Sequence, residues 1–455
     1  MKYYLAGIKG AGMSALALFL NDLGYEVIGY DDAKDHRFTE DKLVARNIKI
    51  YTEPNDAMDK NTIVVYSPAL KLNVHPELIK ANQMGLEIYE YQEMLGKLTK
   101  KFETICISGC HGKTTTTAML SKVLEDTVGC SYIIGDGVGK ANKESKKFVL
   151  ESCEYRRHFL AYEPEYVIIT NIDLDHTDYF KGIDDIISAY NEFANKASKM
   201  VIACGDDPYM HTLQVNPQIY YYGLEDDNDI QAKNVEYRND GTEFDVFIED
   251  EYYGHFDLPL YGKHMLLNAL AVIAVCHYER MDSKEVAKSL KTFKGAERRF
   301  KEKFIGDIVT VDDYAHHPTE IKVTIKAARQ KYPDKKIIAV FKAHTFSRVQ
   351  EFADDFAKAL NLADKAYVMD INYDREDPND YPGITPYTII DKLDNGEYIE
   401  QGMEEKLLEY DNAVILFMSS KEIYLLQERY EKLLKEKLGI CLLYTSPSPR
   451  DRSVS

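Results

Sequence analysis

The chain has 455 residues, and at about 150 residues per domain this length predicts roughly three domains. Its formal net charge of −19 argues against a nucleic-acid-binding surface, because phosphate backbones are bound by clustered Lys and Arg side chains. The seven cysteines show no pairing or metal-ligand spacing and no apolar run approaches the length of a membrane span, so we expect a cytoplasmic protein without membrane insertion. We expect a monomer or homodimer, between which the sequence does not decide.

The first segment has the pattern of a Rossmann-like unit that opens on a glycine-rich loop. The sequence predicts a strand at Lys2–Ala6, the loop at residues 7–14, a helix at Ala15–Leu23 and a strand at Glu26–Tyr30. The glycines at 7, 10 and 12 differ in spacing from the dinucleotide fingerprint, but they suit a diphosphate at the start of a helix. Further strands are predicted at 62–66 and 86–89, and a polar run at 97–101 is interpreted as a linker.

The second segment begins with an apolar strand that ends in glycines, a lysine and hydroxyls. Gly109 and Gly112 let backbone N–H groups approach phosphate oxygens, and Lys113 supplies a cation for the β- and γ-phosphates. The hydroxyl of Thr114 can ligate Mg²⁺. A glycine-rich turn without a ligand is the alternative, but a lysine followed by four threonines has no evident packing reason. The pattern therefore predicts ATP binding, with Lys113 on a solvent-facing loop.

The rest of this segment alternates strands and helices, which predicts a parallel sheet. Strands are expected at 148–151, 166–170 and 200–203, and helices at 266–278 and 283–293. Between them, short Tyr/Phe/Val-rich pieces around an Asn-Asp-Gly turn at 239–241 indicate a small antiparallel subsheet.

The last segment repeats the Rossmann-like pattern. Strands are predicted at 308–312, 336–341, 366–369 and 413–418, and helices at 319–331, 348–360 and 420–437. The predicted fold class is therefore α/β, with three domains in series at 1–98, 99–295 and 296–439. Residues 440–455 mix Pro, Ser and Arg without periodicity after a helix stop at Gly439, and we interpret them as a non-native or disordered tail.

Four further clusters carry chemical groups. Glu151–Tyr155 and Asn171–His176 each follow a predicted strand, where α/β enzymes place metal-binding carboxylates. Together they could hold Mg²⁺ beside ATP, with Glu154 and His176 as better candidates than Asp173 and Asp175, which suit an ordinary acidic loop. The other two clusters are Gly262–Asn268 and the pair formed by 297–300 with 312–318. The two adjacent histidines of the last cluster cannot both be buried, so at least one should face a cleft.

Taken together, these motifs resemble those of the Mur ligases of peptidoglycan synthesis. The resemblance runs from residue 1 to about 438 in the same domain order, and the first glycine loop and the 344–348 segment are similar to the alanine-adding type. It implies ATP-dependent ligation of L-alanine to UDP-N-acetylmuramate through an acyl phosphate, giving ADP and phosphate. It also implies a UDP-sugar-binding first domain and a central ATP-binding domain.

The resemblance also implies a role for each matching residue. It assigns catalysis to Lys113, Glu154 and His176, and Mg²⁺ to Thr114, Glu154 and His176. It assigns ATP to Gly109, Cys110, His111, Gly112, Lys113, Thr114, Thr115, His264, Asn268, Arg298, Asp312 and His316. It assigns the UDP-sugar to Gly7, Gly10, Ala11, Gly12, Met13, Ser14 and Asp31, and the acceptor side to His344 and Arg348.

Several positions depart from the family pattern, among them Lys342 and Ala343, which stand where Gln-Pro or a similar pair is frequent. Met265 stands where the family usually has Asn, which removes an amide that could contact adenine, and Phe346 replaces a common Tyr. Two other functions stay open at this point: a ligase of the same fold with another acceptor, such as a recycled murein tripeptide, and a non-catalytic ATP-binding regulator.

Overall fold

The computed structural model describes residues 1–296, 298–372, 376–420 and 423–440. The chain forms two compact units, one ending at Glu297 and the other beginning at Arg298. Within the described residues, no helix combines the length and apolarity that crossing a membrane requires. The predicted tail lies outside the described residues from position 441 onward, and the predicted boundaries at 98 and 295 stay predictions.

The first sheet is five-stranded and wholly parallel. Its elements are β1 Lys2–Ala6, α1 Ala11–Asp22, β2 Glu26–Tyr30, α2 Glu40–Ala45, β3 Lys49–Tyr51, β4 Thr62–Tyr66, α3 Pro76–Gln83, β5 Glu87–Glu90 and α4 Tyr91–Thr99. The strand order is β3-β2-β1-β4-β5, so the chain changes direction across the sheet at β1 and the glycine loop follows the strand at this switch point. Helix α4 includes residues 97–99, so the first part of the predicted linker is helical.

The second sheet has ten strands. Its elements are β6 Glu103–Ser108, α5 Lys113–Thr127, β7 Ser131–Ile134, β8 Val138–Lys140, β9 Lys147–Glu151, β10 Tyr166–Ile169, α6 Ile183–Ala194, β11 Met200–Cys204, β12 Gln218–Gly223, β13 Ile230–Arg238, β14 Gly241–Ile248, β15 Glu251–Leu258, α7 Lys263–Tyr278 and α8 Ser283–Leu290. The order is β15-β14-β13-β12-β11-β10-β6-β9-β7-β8. Strands β13 to β15 form the predicted antiparallel subsheet.

The first two sheets share one hydrophobic core through α1. The rings of Phe19, Phe102 and Phe148 pack against one another, with centroid distances of 5.0 to 6.0 Å. A Cβ built on Gly139 would stand 1.9 Å from the carbonyl oxygen of Ala15, so only glycine lets the β7–β8 hairpin approach this helix. The helix that begins at the glycine loop therefore packs directly on the central sheet.

The second unit contains a six-stranded sheet. Its elements are β16 Lys301–Ile305, β17 Ile308–Asp313, α9 Pro318–Lys331, β18 Lys336–Phe341, α10 Phe346–Leu360, β19 Lys365–Val368, α11 Tyr387–Ile390, β20 Gly396–Tyr398, β21 Ala413–Met418 and α12 Tyr424–Lys437. The order is β16-β17-β21-β18-β19-β20, and only the pairing of β16 with β17 is antiparallel among these described strands. The predicted α/β class with three sheets in series is confirmed.

Candidate functional site

The loop between β6 and α5, residues 109–112, is termed the phosphate loop, and its backbone requires glycine at two positions. Gly109 and Gly112 have φ angles of +129° and +85°, which side chains rarely allow. A Cβ on Gly109 would stand 2.0 Å from Thr170 Oγ1, and one on Gly112 would stand 2.8 Å from Asn268 Oδ1. Helix α5 begins directly after Gly112 with neither a side-chain cap nor an acidic residue in its first turn. Its first backbone N–H groups are thus oriented to bind an anion.

The loop after β10 holds the phosphate loop in place. Asn171 accepts a hydrogen bond from the backbone N–H of His111 at 2.8 Å and donates one to the carbonyl of the same residue at 2.8 Å. Thr170 also donates to that carbonyl, at 2.5 Å. Asp173 Oδ2 lies 3.1 Å from His111 Nε2, and the buried Cys110 thiol donates to the backbone carbonyl of Asp173. The acidic loop therefore supports the phosphate loop.

Lys113, Glu154 and His176 are brought together, as the sequence predicts. Lys113 Nζ donates to Glu154 Oε1 and Oε2 at 3.1 and 2.9 Å and to the carbonyl of Gly109 at 2.5 Å. His176 Nε2 lies 3.6 Å from Glu154 Oε1. His176 has a φ of +52°, a conformation uncommon outside glycine that concentrates at functional sites.

The expectation that Lys113 lies on a solvent-facing loop is wrong. Its side chain is 13% exposed, and its partner Glu154 is 1% exposed. Burial by itself favours neutral lysine, but the nearby Glu154 charge outweighs this and raises the pKa of Lys113 above its ordinary value. Burial likewise opposes ionisation of Glu154, and Lys113 with His176 holds the pKa of that carboxyl below its usual range. The pair is therefore ionised.

Thr114 makes a contact that the sequence analysis missed. Its hydroxyl donates to Glu151 Oε1 at 2.9 Å, and Glu151 Oε2 accepts the Gly135 N–H at 2.6 Å. Glu151 ends β9, which pairs with β6, so the carboxyl ends of these neighbouring strands meet beside the loop. The signal was present, because Glu151 stands at the strand end where metal-binding carboxylates are expected.

The predicted magnesium ligands offer suitable donors. Thr114 supplies a hydroxyl, Glu154 an ionised carboxylate and His176 an imidazole, all within the loop network described above. Oxygen donors are those that Mg²⁺ prefers, so Thr114 and Glu154 fit the ion, and His176 lies beside this carboxylate.

The other threonines after Lys113 face the protein interior. Thr115, Thr116 and Thr117 are all buried, and Thr117 donates to the Lys113 carbonyl at 2.8 Å. The run of threonines therefore does have a packing role, contrary to the sequence-based argument.

Helix α7 places Asn268 beside the phosphate loop. Its amide is the group that would contact a side chain at Gly112, and only 6% of the residue is exposed. His264 lies one helical turn earlier on the same face. Met265, which replaces the family asparagine, packs partly against the core of the central sheet.

The glycine loop after β1 leads into a second helix start without a side-chain cap. Gly7 has a φ of +81°, and its N–H donates to the Tyr30 carbonyl at 2.7 Å. Gly10 precedes α1, which has no side-chain cap and no acidic first turn. A Cβ on Gly10 would meet only the Gly7 carbonyl, at 3.4 Å, so the fold alone does not require glycine there.

The remaining residues assigned to the UDP-sugar mostly support this loop. The Asp31 carboxylate accepts the N–H groups of Lys9 and Ala33 at 2.8 and 3.0 Å. Met13 is 3% exposed and belongs to the core. The Ser14 hydroxyl is buried, and none of the described residues hydrogen-bonds to it.

Residues 135–137, the turn of the β7–β8 hairpin, lie close to both the glycine loop and the phosphate loop. In the β7–β8 hairpin, Gly135 donates to Glu151 beside Thr114, while a Cβ on Gly137 would lie 3.8 Å from the Cα of Ala11. Gly135 and Gly137 are two positions apart in the chain, so their Cα atoms are separated by at most about 7 Å. The glycine loop and the phosphate loop thus lie at one edge of the first unit, close enough for one extended substrate to reach both.

The second unit gathers the other predicted residues at the carboxyl ends of β17 and β18. Arg298 Nε lies 3.3 Å from Asp312 Oδ2, and its guanidinium also donates to the Ser419 carbonyl at 3.1 Å. Asp312 Oδ1 is buried without a hydrogen-bonding partner among the described residues.

Histidines join this group to the predicted acceptor residues. The rings of His316 and His344 meet edge to face at 5.6 Å, and the Arg348 guanidinium donates to His344 Nδ1 at 3.2 Å. Of the two adjacent histidines, His317 is buried and caps α9 through Thr319, while His316 is partly exposed.

Comparisons with known proteins agree on one family. Residues 2–103 match the model described as "Mur ligase family, catalytic domain", residues 107–276 match "Mur ligase middle domain", and residues 298–420 match "Mur ligase, glutamate ligase domain". The UDP-N-acetylmuramate–L-alanine ligases of Lacticaseibacillus paracasei and Lacticaseibacillus casei are each 44% identical over 436 residues, which cover 96% of this chain and 99% of theirs.

Solved structures show the same fold. The UDP-N-acetylmuramate-alanine ligase of Thermotoga maritima matches with a TM-score of 0.79 and 26% identity, covering 96% of this chain and 100% of that one. A murein peptide ligase of Psychrobacter arcticus matches with a TM-score of 0.69 and 21% identity, covering 95% and 98%.

Proposed function

This chain belongs to the Mur ligase family, and we propose that it joins L-alanine to UDP-N-acetylmuramate with conversion of ATP to ADP and phosphate. The observation that carries this proposal is the 44% identity over nearly the whole length of two ligases with that name. We further propose that it acts in the cytoplasm, in the synthesis of peptidoglycan precursors.

The reaction needs two phosphate-binding loops within reach of one substrate. We propose that the loop at 7–14 binds the diphosphate of the UDP-sugar and that the loop at 109–115 binds the ATP phosphates. The lactyl carboxylate attacks the γ-phosphorus, the bond to the β-phosphate oxygen breaks, and ADP leaves. The alanine amine then attacks the acyl phosphate, loses a proton, and inorganic phosphate leaves as the amide forms.

The residues of the first unit supply positive charge where negative charge develops. Lys113 is held at the loop by Glu154 and would move to the transferred phosphoryl group when ATP binds. The first N–H groups of α5 contribute in the same direction. Mg²⁺ held by Thr114, Glu154 and His176 would screen the phosphate charge. We propose that Asn268 and His264 bind the nucleoside, because Asn268 already contacts the loop at Gly112.

For the second unit, we propose roles that follow from its cluster. Arg298, Asp312 and His316 would bind nucleotide, supported by the buried Asp312 Oδ1 without a partner among the described residues. His344 and Arg348 would face the amino-acid acceptor, for which Arg348 offers a fixed cation for a carboxylate.

Release of inorganic phosphate from ATP tests the overall function. We expect release only when both UDP-N-acetylmuramate and L-alanine are present, and a weaker signal with glycine or L-serine. Faster turnover with murein tripeptide than with L-alanine would favour the recycling ligase instead. No phosphate release with any acceptor would favour a non-catalytic regulator.

A substitution at Gly10 tests the assignment of the first loop. Gly10 has an extended backbone conformation and precedes α1, a position at which Asp stabilises helices. We therefore expect Gly10→Asp to leave the melting temperature unchanged or higher, while its carboxylate occupies the diphosphate site and repels the ligand.

The expected result is a rise of at least about tenfold in the KM for UDP-N-acetylmuramate, since repulsion between two negative charges at such short range costs more than about 1.4 kcal/mol. The KM for ATP should stay within about twofold. A variant that raises the KM for ATP and not that for the UDP-sugar would contradict the assignment.

A further inference from the structure

Tyr91 occupies the space between the two loops. It is the first residue of α4, and the tip of its ring fills the position of a side chain at Gly12: a Cβ there would stand 2.9 Å from both Cζ and Oη of Tyr91. Gly12 is in the first turn of α1. Glycine at position 12 is therefore explained by the tyrosine, whereas glycine at position 10 is not.

The Tyr91 phenol makes no hydrogen bond with any of the described residues, and the residue is partly exposed. Such a hydroxyl is available to bond to water or to a ligand. Two buried oxygens, those of the Ser14 hydroxyl and of Gln92 Oε1, have no hydrogen-bonding partner within the described part of the chain. Ser14 lies one turn after Gly10 on the same face of α1, and helical side chains lean toward the N-terminus.

The environment keeps the phenol protonated. Burial raises the pKa of Tyr91, and the nearby Glu151 and Cys153 raise it further. Glu151 is the last residue of β9 and bonds Thr114 beside the phosphate loop, and Cys153 follows two residues later. Tyr91 thus presents a hydrogen-bond donor beside Gly12 at the start of α1. The same hydroxyl is close enough to Glu151, which bonds Thr114, for the two groups to interact electrostatically.

We propose that the Tyr91 hydroxyl donates a hydrogen bond to the N-acetylmuramate part of the UDP-sugar. This inference rests on the proposed function: with the diphosphate at the glycine loop and the lactyl carboxylate at the γ-phosphate, the sugar must cross the space between the loops. Tyr91 lies along that path. It is a binding residue for the sugar and contributes to selection of UDP-N-acetylmuramate over UDP alone.

The test compares Tyr91→Phe with wild type by titration calorimetry, using UDP-N-acetylmuramate and UDP as separate ligands. Phenylalanine keeps the ring against Gly12, so the fold should be preserved. We expect binding of UDP-N-acetylmuramate to weaken by about threefold to tenfold, the usual range for one hydrogen bond. Binding of UDP should not change, and the KM for ATP should also stay constant.

Tyr89→Phe is the matched control, since the Tyr89 hydroxyl bonds Glu87 at 2.6 Å only two residues earlier in the chain. This variant should bind both ligands like wild type. Equal affinities of wild type and Tyr91→Phe for UDP-N-acetylmuramate would overturn the inference, and so would equal weakening for both ligands. If the wild type binds neither ligand, it is the proposed function that fails.

Discussion

Replacing Lys113 by Ala is expected to lower phosphate release at least about a hundredfold. The loss of one cation from the transition state of phosphoryl transfer corresponds to about 3 kcal/mol or more. The same change leaves Glu154 buried without its counter-charge, and removal of one partner of a buried ion pair costs about 3–5 kcal/mol of stability. We therefore expect a lower melting temperature as well, and turnover must be measured well below it.

A second substitution separates the two effects. Lys113→Arg keeps a positive charge that can pair with both oxygens of Glu154, so it should recover much of the melting temperature. Its planar guanidinium does not reproduce the lysine ammonium at the phosphate, so turnover should stay low. Lys122→Ala serves as the control, because Lys122 lies in the same helix and pairs with Asp126 at the surface. Near-normal turnover of Lys113→Ala would contradict the ATP assignment.

Replacing Glu154 by Gln is expected to have an effect of similar size. The shape is preserved, but the amide carries no charge to balance Lys113 or to bind Mg²⁺. Phosphate release should fall at least about a hundredfold. The remaining activity should require a higher Mg²⁺ concentration, which a magnesium titration of the initial rate would show.

The pH profile of Glu154→Gln provides an independent readout. Burial favours neutral lysine, and the charge of Glu154 is what outweighs it, so the pKa of Lys113 should fall in the variant. Residual activity should consequently be lost at lower pH on the alkaline side than in wild type. Glu163→Gln, which removes an exposed partner of Lys100, should change neither property. An unaltered magnesium requirement together with normal turnover in Glu154→Gln would contradict the metal assignment.

Much of the fold could be predicted because its central strands are continuous apolar runs between turn residues. The bounds of β1, β2, β4, β18 and β21 agree with the predictions, since these strands are apolar after at most one polar first residue and are mostly buried. The edge strands β16 and β20 were missed. The first carries three charged residues in five, and the second is only three residues long.

The site was predictable where its chemistry is local. The phosphate loop is a single contiguous motif, and Glu154 and His176 follow strands adjacent to β6, so parallel pairing brings them together. The burial of Lys113 was not predictable, because strand pairing indicates that Glu154 lies nearby but not that the two side chains form a direct, buried ion pair. The strand-end positions of Glu151 and Asn171 were visible in the sequence, but their hydrogen bonds to Thr114 and to the peptide of His111 were not.

The hydrogen bonds from Asn171 and Thr170 to the peptide of His111 have a thermodynamic consequence for nucleotide affinity. Fixing the backbone of one residue costs about 1–2 kcal/mol in conformational entropy. In this loop that entropy is lost during folding, so the loop is already ordered before ATP binds. Binding of ATP should therefore cost little further conformational entropy of the loop. What the nucleotide must displace is the Lys113 ammonium from Glu154, which makes exchange of one ionic partner for another the main event of binding.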